Sequence, residues 1–143
     1  MAVLYAASAT NAFNTNPPVK VAPSRHGGRV RVVSDVITLA TQTTSDTIVL
    51  FGGKLPIGAQ VLYGVLTSTV TLGTATVAIG ITGTTGKYRA AAAFTAVDTP
   101  TTFGPTAVQL TPLTAEEQVF ITIGTASLPS SGTVTVQLFY ALD

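Results

Sequence analysis

Several residue types that carry chemistry are missing from this chain or scarce in it. There is no cysteine, so neither a disulfide framework nor a thiolate metal site can be built. The one histidine, His26, sits among Pro23, Gly27 and Gly28, so neither a Ser-His-Asp nor a Cys-His constellation has a well-placed base. Tryptophan is absent and tyrosine occurs four times, too few for the aromatic girdles of a membrane barrel. No window approaches the roughly 18 uninterrupted apolar residues of a membrane helix. Charged residues make up 9% of the 143 positions, against about 25% in an ordinary soluble domain.

The acidic residues that remain do not assemble a site on paper. Glu116 and Glu117 are neighbours in a turn, and Asp35, Asp46 and Asp98 are scattered, which is poor material for a glycosidase pair. No calcium loop appears. Gly53-Lys54 lacks the upstream glycine of a phosphate loop, because Ile48 stands in that place. The glycine-rich run Gly80 to Gly86 bridges two strands and opens no helix. No catalytic residue, metal or cofactor is expected, and the chain is not read as an enzyme.

What fills the gap is threonine with serine, alanine and glycine. A surface of these residues is soluble but weakly repulsive, which suits permanent association. Net charge is +1, yet Lys20, Arg25, Arg29 and Arg31 all precede the first acid, Asp35. A basic arm on a neutral body could reach an acidic groove, nucleic acid or a protein shell. It lacks the interleaved aromatics and dense Lys/Arg runs of a nucleic-acid binder. Neither nucleic acid nor membrane is therefore expected as a partner. Met1 to Thr10 has no positive n-region, so no secretory signal is expected there.

The length suits one domain with a core of its own. Residues 1–28 read as an extended arm, because Asn11, Asn14, Asn16, Pro17, Pro18, Pro23, Gly27 and Gly28 interrupt any regular element. Val3, Leu4, Tyr5 and Phe13 give it apolar side chains that call for a surface to lie on. Residues 29–143 read as a β-sandwich domain. Arg29 to Thr41 starts as a strand in which Val30 and Val32 alternate with arginines. Ile37 and Leu39 then fall on the opposite parity, and a β-bulge is expected to absorb the slip. Asp46 to Phe51 is the next strand, and Leu55-Pro56-Ile57-Gly58 is a tight corner.

Two core strands follow. In the first, Val61, Tyr63 and Val65 share one face and Leu62 and Leu66 the other, so it should be covered on both sides. In the second, Val77, Ile79 and Ile81 alternate with Thr76, Ala78, Gly80 and Thr82, giving one apolar face and one smooth face of small residues. Lys87 to Ala96 reads as a strand with Tyr88, Ala90, Ala92 and Phe94 on one side, despite the helix propensity of alanine. Val97 to Pro105 reads as a loop and Thr106 to Leu110 as a short strand. The capping-box spacing of Thr114 and Glu117 offers one helical turn. Val119, Ile121 and Ile123, and then Val134, Val136, Leu138 and Tyr140, point inward on the closing strands. Seven to nine short strands with Gly/Pro turns predict an all-β antiparallel sandwich of jelly-roll type with an extended N-terminal arm.

Phe120 and Phe139 lie on the parity opposite the core residues. With Thr76, Ala78 and Thr82 they are the expected oligomer contact.

Certain phrases carry a resemblance. They are Gly28-Arg29-Val30-Arg31, Leu50-Phe51, Lys54-Leu55-Pro56-Ile57-Gly58-Ala59-Gln60-Val61, a Thr-rich strand with Leu72-Gly73, and the closing Val134-Thr135-Val136. Over roughly residues 25–140 the chain resembles the small head decoration, or cement, proteins of tailed bacteriophages. That resemblance implies a jelly roll associating with itself as a trimer or, next, a dimer, and bound to the major capsid protein on the outside of the virion. It also implies a leader that extends onto neighbours, so Phe13, Lys20, Arg25, Arg29 and Arg31 are the candidate capsid-binding residues. The alternative, from a different class, is a tail-fibre or surface-adhesion module binding a host glycan.

Overall fold

The computed structural model describes residues 4, 6, 9–10, 15–20, 28–105, 107–109 and 111–142. Among these residues the chain forms eight strands. They are β1 (Arg29–Thr38), β2 (Thr47–Val49), β3 (Gln60–Ser68), β4 (Thr76–Ile81), β5 (Thr84–Ala93), β6 (Thr101–Phe103), β7 (Phe120–Gly124) and β8 (Thr133–Leu142). A front sheet runs β1-β8-β3-β6 and a back sheet β2-β7-β4-β5. Strands β1 with β8, β2 with β7, β3 with β6 and β4 with β5 are all antiparallel neighbours. The two halves of the chain are thus paired end to end and rolled into two layers, the jelly-roll arrangement expected from the sequence.

Alternation explains the core. On β8, Val134, Val136, Leu138 and Tyr140 are buried, while the residues between them are half-exposed. Val77 and Ile79 of β4 meet them from the back sheet with Ile121 and Ile123 of β7, and Leu50, Leu55, Val119 and Leu128 close the ends. Burial of this kind contributes about 25 cal/mol per Å² of apolar surface and is what holds the two sheets together. The Leu55–Gly58 corner forms as expected. Gly58 takes φ +83°, and Ala59 N donates to Pro56 O at 3.2 Å.

Several expectations are corrected. First, β1 contains no bulge and runs in unbroken register with β8 from Arg29↔Leu142 to Thr38↔Thr133. Its two apolar parities face opposite sides: Ile37 enters the core, while Val30, Val32 and Val36 stay outside. Second, the irregularity lies in β3, where the register shifts between Val61 and Tyr63. Val61 is therefore buried and Tyr63 is 40% exposed, so the two do not share a face. Third, Thr101–Phe103, inside the expected loop, is strand β6. Residues 107–109, inside the expected strand, form a turn in which Val108 N donates to Pro105 O at 3.0 Å. Gly104, at φ +136°, and Pro105 end the strand before that point. Fourth, β5 is a strand, but Ala90 and Ala92 are exposed while Tyr88 and Phe94 are buried. Register shifts against β4 separate them. The helical turn at Thr114 does not form. Glu117 bridges Leu55 instead, through Leu55 N to Glu117 O at 2.8 Å.

Candidate interaction surfaces

The outer face of the front sheet follows from its register. Residues opposite each other in an antiparallel ladder share a face. Val32 is opposite Phe139 and Phe139 opposite Tyr63; Ser34, Gln137 and Val65 form the next row, and Val36, Thr135 and Thr67 the one beyond. Tyr63 and Phe139 stack with ring centroids 4.7 Å apart and planes 18° from parallel. Val30, Val32 and Val36 are 62%, 53% and 61% exposed. These rows carry no charged side chain, which is the sort of patch that a soluble monomer rarely leaves open.

The back sheet is finished differently. The small-residue side of β4 is covered by the chain itself. A Cβ built at Gly80 would overlap the carbonyl oxygens of Thr84 and Thr85, because β5 leaves its ladder there and crosses over the glycine. Ala78 is 3% exposed. Arg89, opposite Ile79, ties the irregular pairing together. Its guanidinium donates to Val77 O, to Ala92 O at 3.2 Å and to Ala93 O at 3.4 Å, and it stands 5.9 Å from the centroid of the Phe94 ring. Burial pushes its pKa below the ordinary arginine value. The carbonyls freed by the irregular β4–β5 pairing are thus capped by one side chain.

At the other end of the back sheet, Tyr88 is fully buried and donates its hydroxyl to Glu117 Oε2, while Lys87 donates to Glu117 Oε1. Desolvation, followed by the hydrogen bond to Glu117 and its negative charge, pushes the Tyr88 phenol well above its usual value. One carboxylate held by a lysine and a tyrosine is a clasp between β5 and the 111–117 segment. The Lys54–Glu116 pair, at 3.8 Å, is exposed and contributes little. Among the described residues no three His, Asp or Glu side chains converge to hold a metal ion. Among the described residues no helix is long and apolar enough to cross a membrane.

The residues singled out from the sequence do not gather in one place. Thr76, Ala78 and Phe120 belong to the outer side of the back sheet, where Phe120 and Thr82 line a shallow hollow with Ile81 and Thr122. Thr76 is half-buried, its hydroxyl 3.3 Å from that of Thr125. Phe139 is on the opposite outer face, under Tyr63. Of the arm residues, Lys20 is exposed, whereas Phe13 and Arg25 lie outside the described residues. Arg29 and Arg31 belong to β1, opposite Leu142 and Tyr140. Sequence reasoning missed the Val30-Val32-Val36 row. The signal is three valines on one parity, and the opposite parity of Ile37 and Leu39 makes a slip of phase an equally good fit to Val30 and Val32.

Among the described residues the chain is an all-β jelly roll whose front sheet has outer rows without charge. No protein-family model matches the sequence, and no curated protein sequence is similar to it. Solved structures place the fold among phage capsids. A chain of the capsid asymmetric unit of cyanophage Pam1 superposes with a TM-score of 0.69 at 26% identity, covering 92% of this chain and 99% of that one. A chain of the capsid of Ralstonia phage GP4 gives 0.63 at 21% identity, over 81% of this chain and 86% of that one. A chain of the acid-stable capsid of Helicobacter pylori bacteriophage KHP30 gives 0.59 at 16% identity, over 79% and 87%.

Proposed function

We propose that this chain is a structural virion protein of the cement or decoration type, bound to the outside of an assembled phage capsid that it stabilises. The observation that carries the reading is the Pam1 match, which spans nearly the whole of both chains. The matched capsid component is therefore itself a small sandwich of about this size. A jelly roll this short, with quiet outer faces, suits addition to a shell better than forming one. A pressurised shell gains stability from anything that binds its assembled form better than its free subunits. Many identical copies make modest contacts sufficient.

In this reading the sandwich associates with itself, and the arm, with Phe13, Lys20, Arg25, Arg29 and Arg31, adheres to the major capsid protein. An arm laid across neighbouring subunits gains contact area at an ordering cost. The test is binding of the purified full chain to capsids assembled without it, beside a variant lacking residues 1–24. Saturable binding that raises the temperature of capsid disruption is expected, with occupancy lost on deletion. No binding by the full chain overturns the function, and unchanged occupancy overturns the arm's part.

The adhesion reading is not favoured. A glycan platform needs polar groups around a stacking ring, and Tyr63 is flanked in register by Phe139 and then Val32.

A further inference from the structure

We propose that the free edge of β1 is a self-association surface, where a second copy of this chain adds its own β1 antiparallel about a two-fold axis at Val32. This deepens the self-association part of the proposed function and does not depend on the shell.

The argument starts from which backbone groups are unused. Leu39 N donates to Gly132 O at 2.9 Å, continuing the register in which Thr38 faces Thr133. Alternate residues bond the partner in an antiparallel ladder, so the odd-numbered residues of β1 bond β8. Val30, Val32, Ser34 and Val36 aim their N–H and C=O groups at the open edge. Val36 is already closed, because its N–H donates to Asp35 Oδ1 at 2.9 Å. The turn at Phe51 stands beside it, with Phe51 N donating to Asp35 Oδ2 at 3.0 Å. The open stretch is therefore Val30 to Ser34. It has no proline or bulge, two of the devices by which edge strands avoid pairing, and no described strand pairs with it on that side. Its one charged residue, Arg31, stands opposite Val33 of the second copy in the register argued below.

Charge then selects the register. Centring the pair on Arg31 would set Arg31 against Arg31 of the second copy, and like charges directly opposite are destabilising. Centring it on Val33 would need the N–H of Val36, which Asp35 holds. Centring it on Val32 pairs Val30 with Ser34 of the second copy and Val32 with Val32 of the second copy. It also sets Arg29 across from Asp35 of the second copy, twice over by symmetry. In that register the apolar row Tyr63–Phe139–Val32 continues across the axis into its own image. The surface is self-complementary in backbone, charge and outer face, which is what a two-fold contact requires. Self-association then closes at two copies through this edge, where the family resemblance had put a trimer first.

Because the chain has no cysteine, one introduced thiol reads the contact directly. Two Val32 Cα atoms would lie about 5.5 Å apart as a hydrogen-bonded pair, within disulfide reach. Two Val36 Cα atoms would lie roughly 27 Å apart, eight residues along the strand. In the full chain at micromolar concentration, V32C is expected to form a disulfide-linked dimer at least about tenfold faster than the equally exposed V36C. Adding Arg29→Glu to V32C, which sets two acids against each other, should slow the cross-link by about tenfold, while Arg29→Lys should preserve it. Cross-linking of V32C no faster than V36C overturns the proposal. A V32C thiol that stays monomeric and is shielded from alkylation also overturns it, in favour of the arm as occupant of the edge. A chain that binds capsids but never cross-links defeats this inference alone; one that cross-links but ignores capsids defeats only the proposed function.

Discussion

On the back sheet the outer side of β4 at Ala78 and Gly80 is closed by the chain's own backbone, whereas the front sheet presents Val30, Val32, Val36 and Tyr63 to solvent. Both sheets have four strands and share one core, so the difference is not one of architecture. It comes from what the sequence puts on the outward parity. The back sheet carries Gly80, Ala78 and Gly124, small enough for another strand or side chain to lie on top. The front sheet carries valines and aromatics, which hold other backbone away and leave apolar area for a partner. The β4 strip is finished within the monomer, and the front face is left open.

The largest expected effect tests the closed side. Gly80→Ala forces a methyl into the carbonyl oxygens of Thr84 and Thr85, and backbone cannot yield without undoing the β5 crossover. We expect a loss of roughly 3 kcal/mol or more, of the order of severe overpacking, read as the shift in urea midpoint. Gly64→Ala, on the front sheet, also overlaps a neighbour, but that neighbour is the far end of the Phe103 ring on the short edge strand β6. The ring can swing, and about 1 kcal/mol is expected. Equal losses at the two glycines would show that the β5 crossover is not what closes the back sheet.

The next effect sets two adjacent residues of β1 against each other. Ile37 is 8% exposed and faces the core; Val36 is 61% exposed and faces out. Ile37→Thr removes apolar burial and buries a hydroxyl, and should cost about 2 kcal/mol. Val36→Thr is nearly isosteric at the surface and should stay within about 0.5 kcal/mol. Urea unfolding of both variants checks the contrast. Comparable losses would mean that the outer valines are covered within the monomer, and the distinction between the two sheets would fail.

These residues also show how far the sequence could be read. The strands with strict alternation, β7 and β8, were legible in type and in facing, because a period of two with one apolar parity has a single solution. β1 was not, since apolar residues on both parities fit a bulged strand as well as an edge strand with a sticky outer face, and only pairing to β8 decides. Tyr63 was misplaced for the converse reason, a bulge that leaves no mark in Val61-Leu62-Tyr63. The fate of the smooth side of β4 depended on how β5 folds back, which Thr84-Thr85-Gly86 does not announce. The uncharged exterior was thus visible as composition before it could be assigned to a face.

The smallest effect concerns the clasp that holds the closed side in place. Tyr88→Phe removes the hydroxyl that donates to Glu117 and leaves Lys87 as the carboxylate's side-chain partner. About 1 kcal/mol should be lost at pH 8. The pH dependence is more telling. The folded phenol is held well above its ordinary value, first by desolvation and then by Glu117, whereas in the unfolded chain it ionises near pH 10. A group whose pKa is raised on folding contributes stability that is complete below the unfolded value and lost as the pH climbs past it. Above about pH 10 the native protein should therefore lose roughly 1.4 kcal/mol per pH unit relative to the phenylalanine variant. The other titrating groups are common to both proteins and cancel. Urea midpoints at pH 8, 10 and 11 should converge and then cross. Curves that stay parallel over that range would mean that the phenol ionises as freely in the folded chain as in the unfolded one, and that β5 is not held down by this clasp.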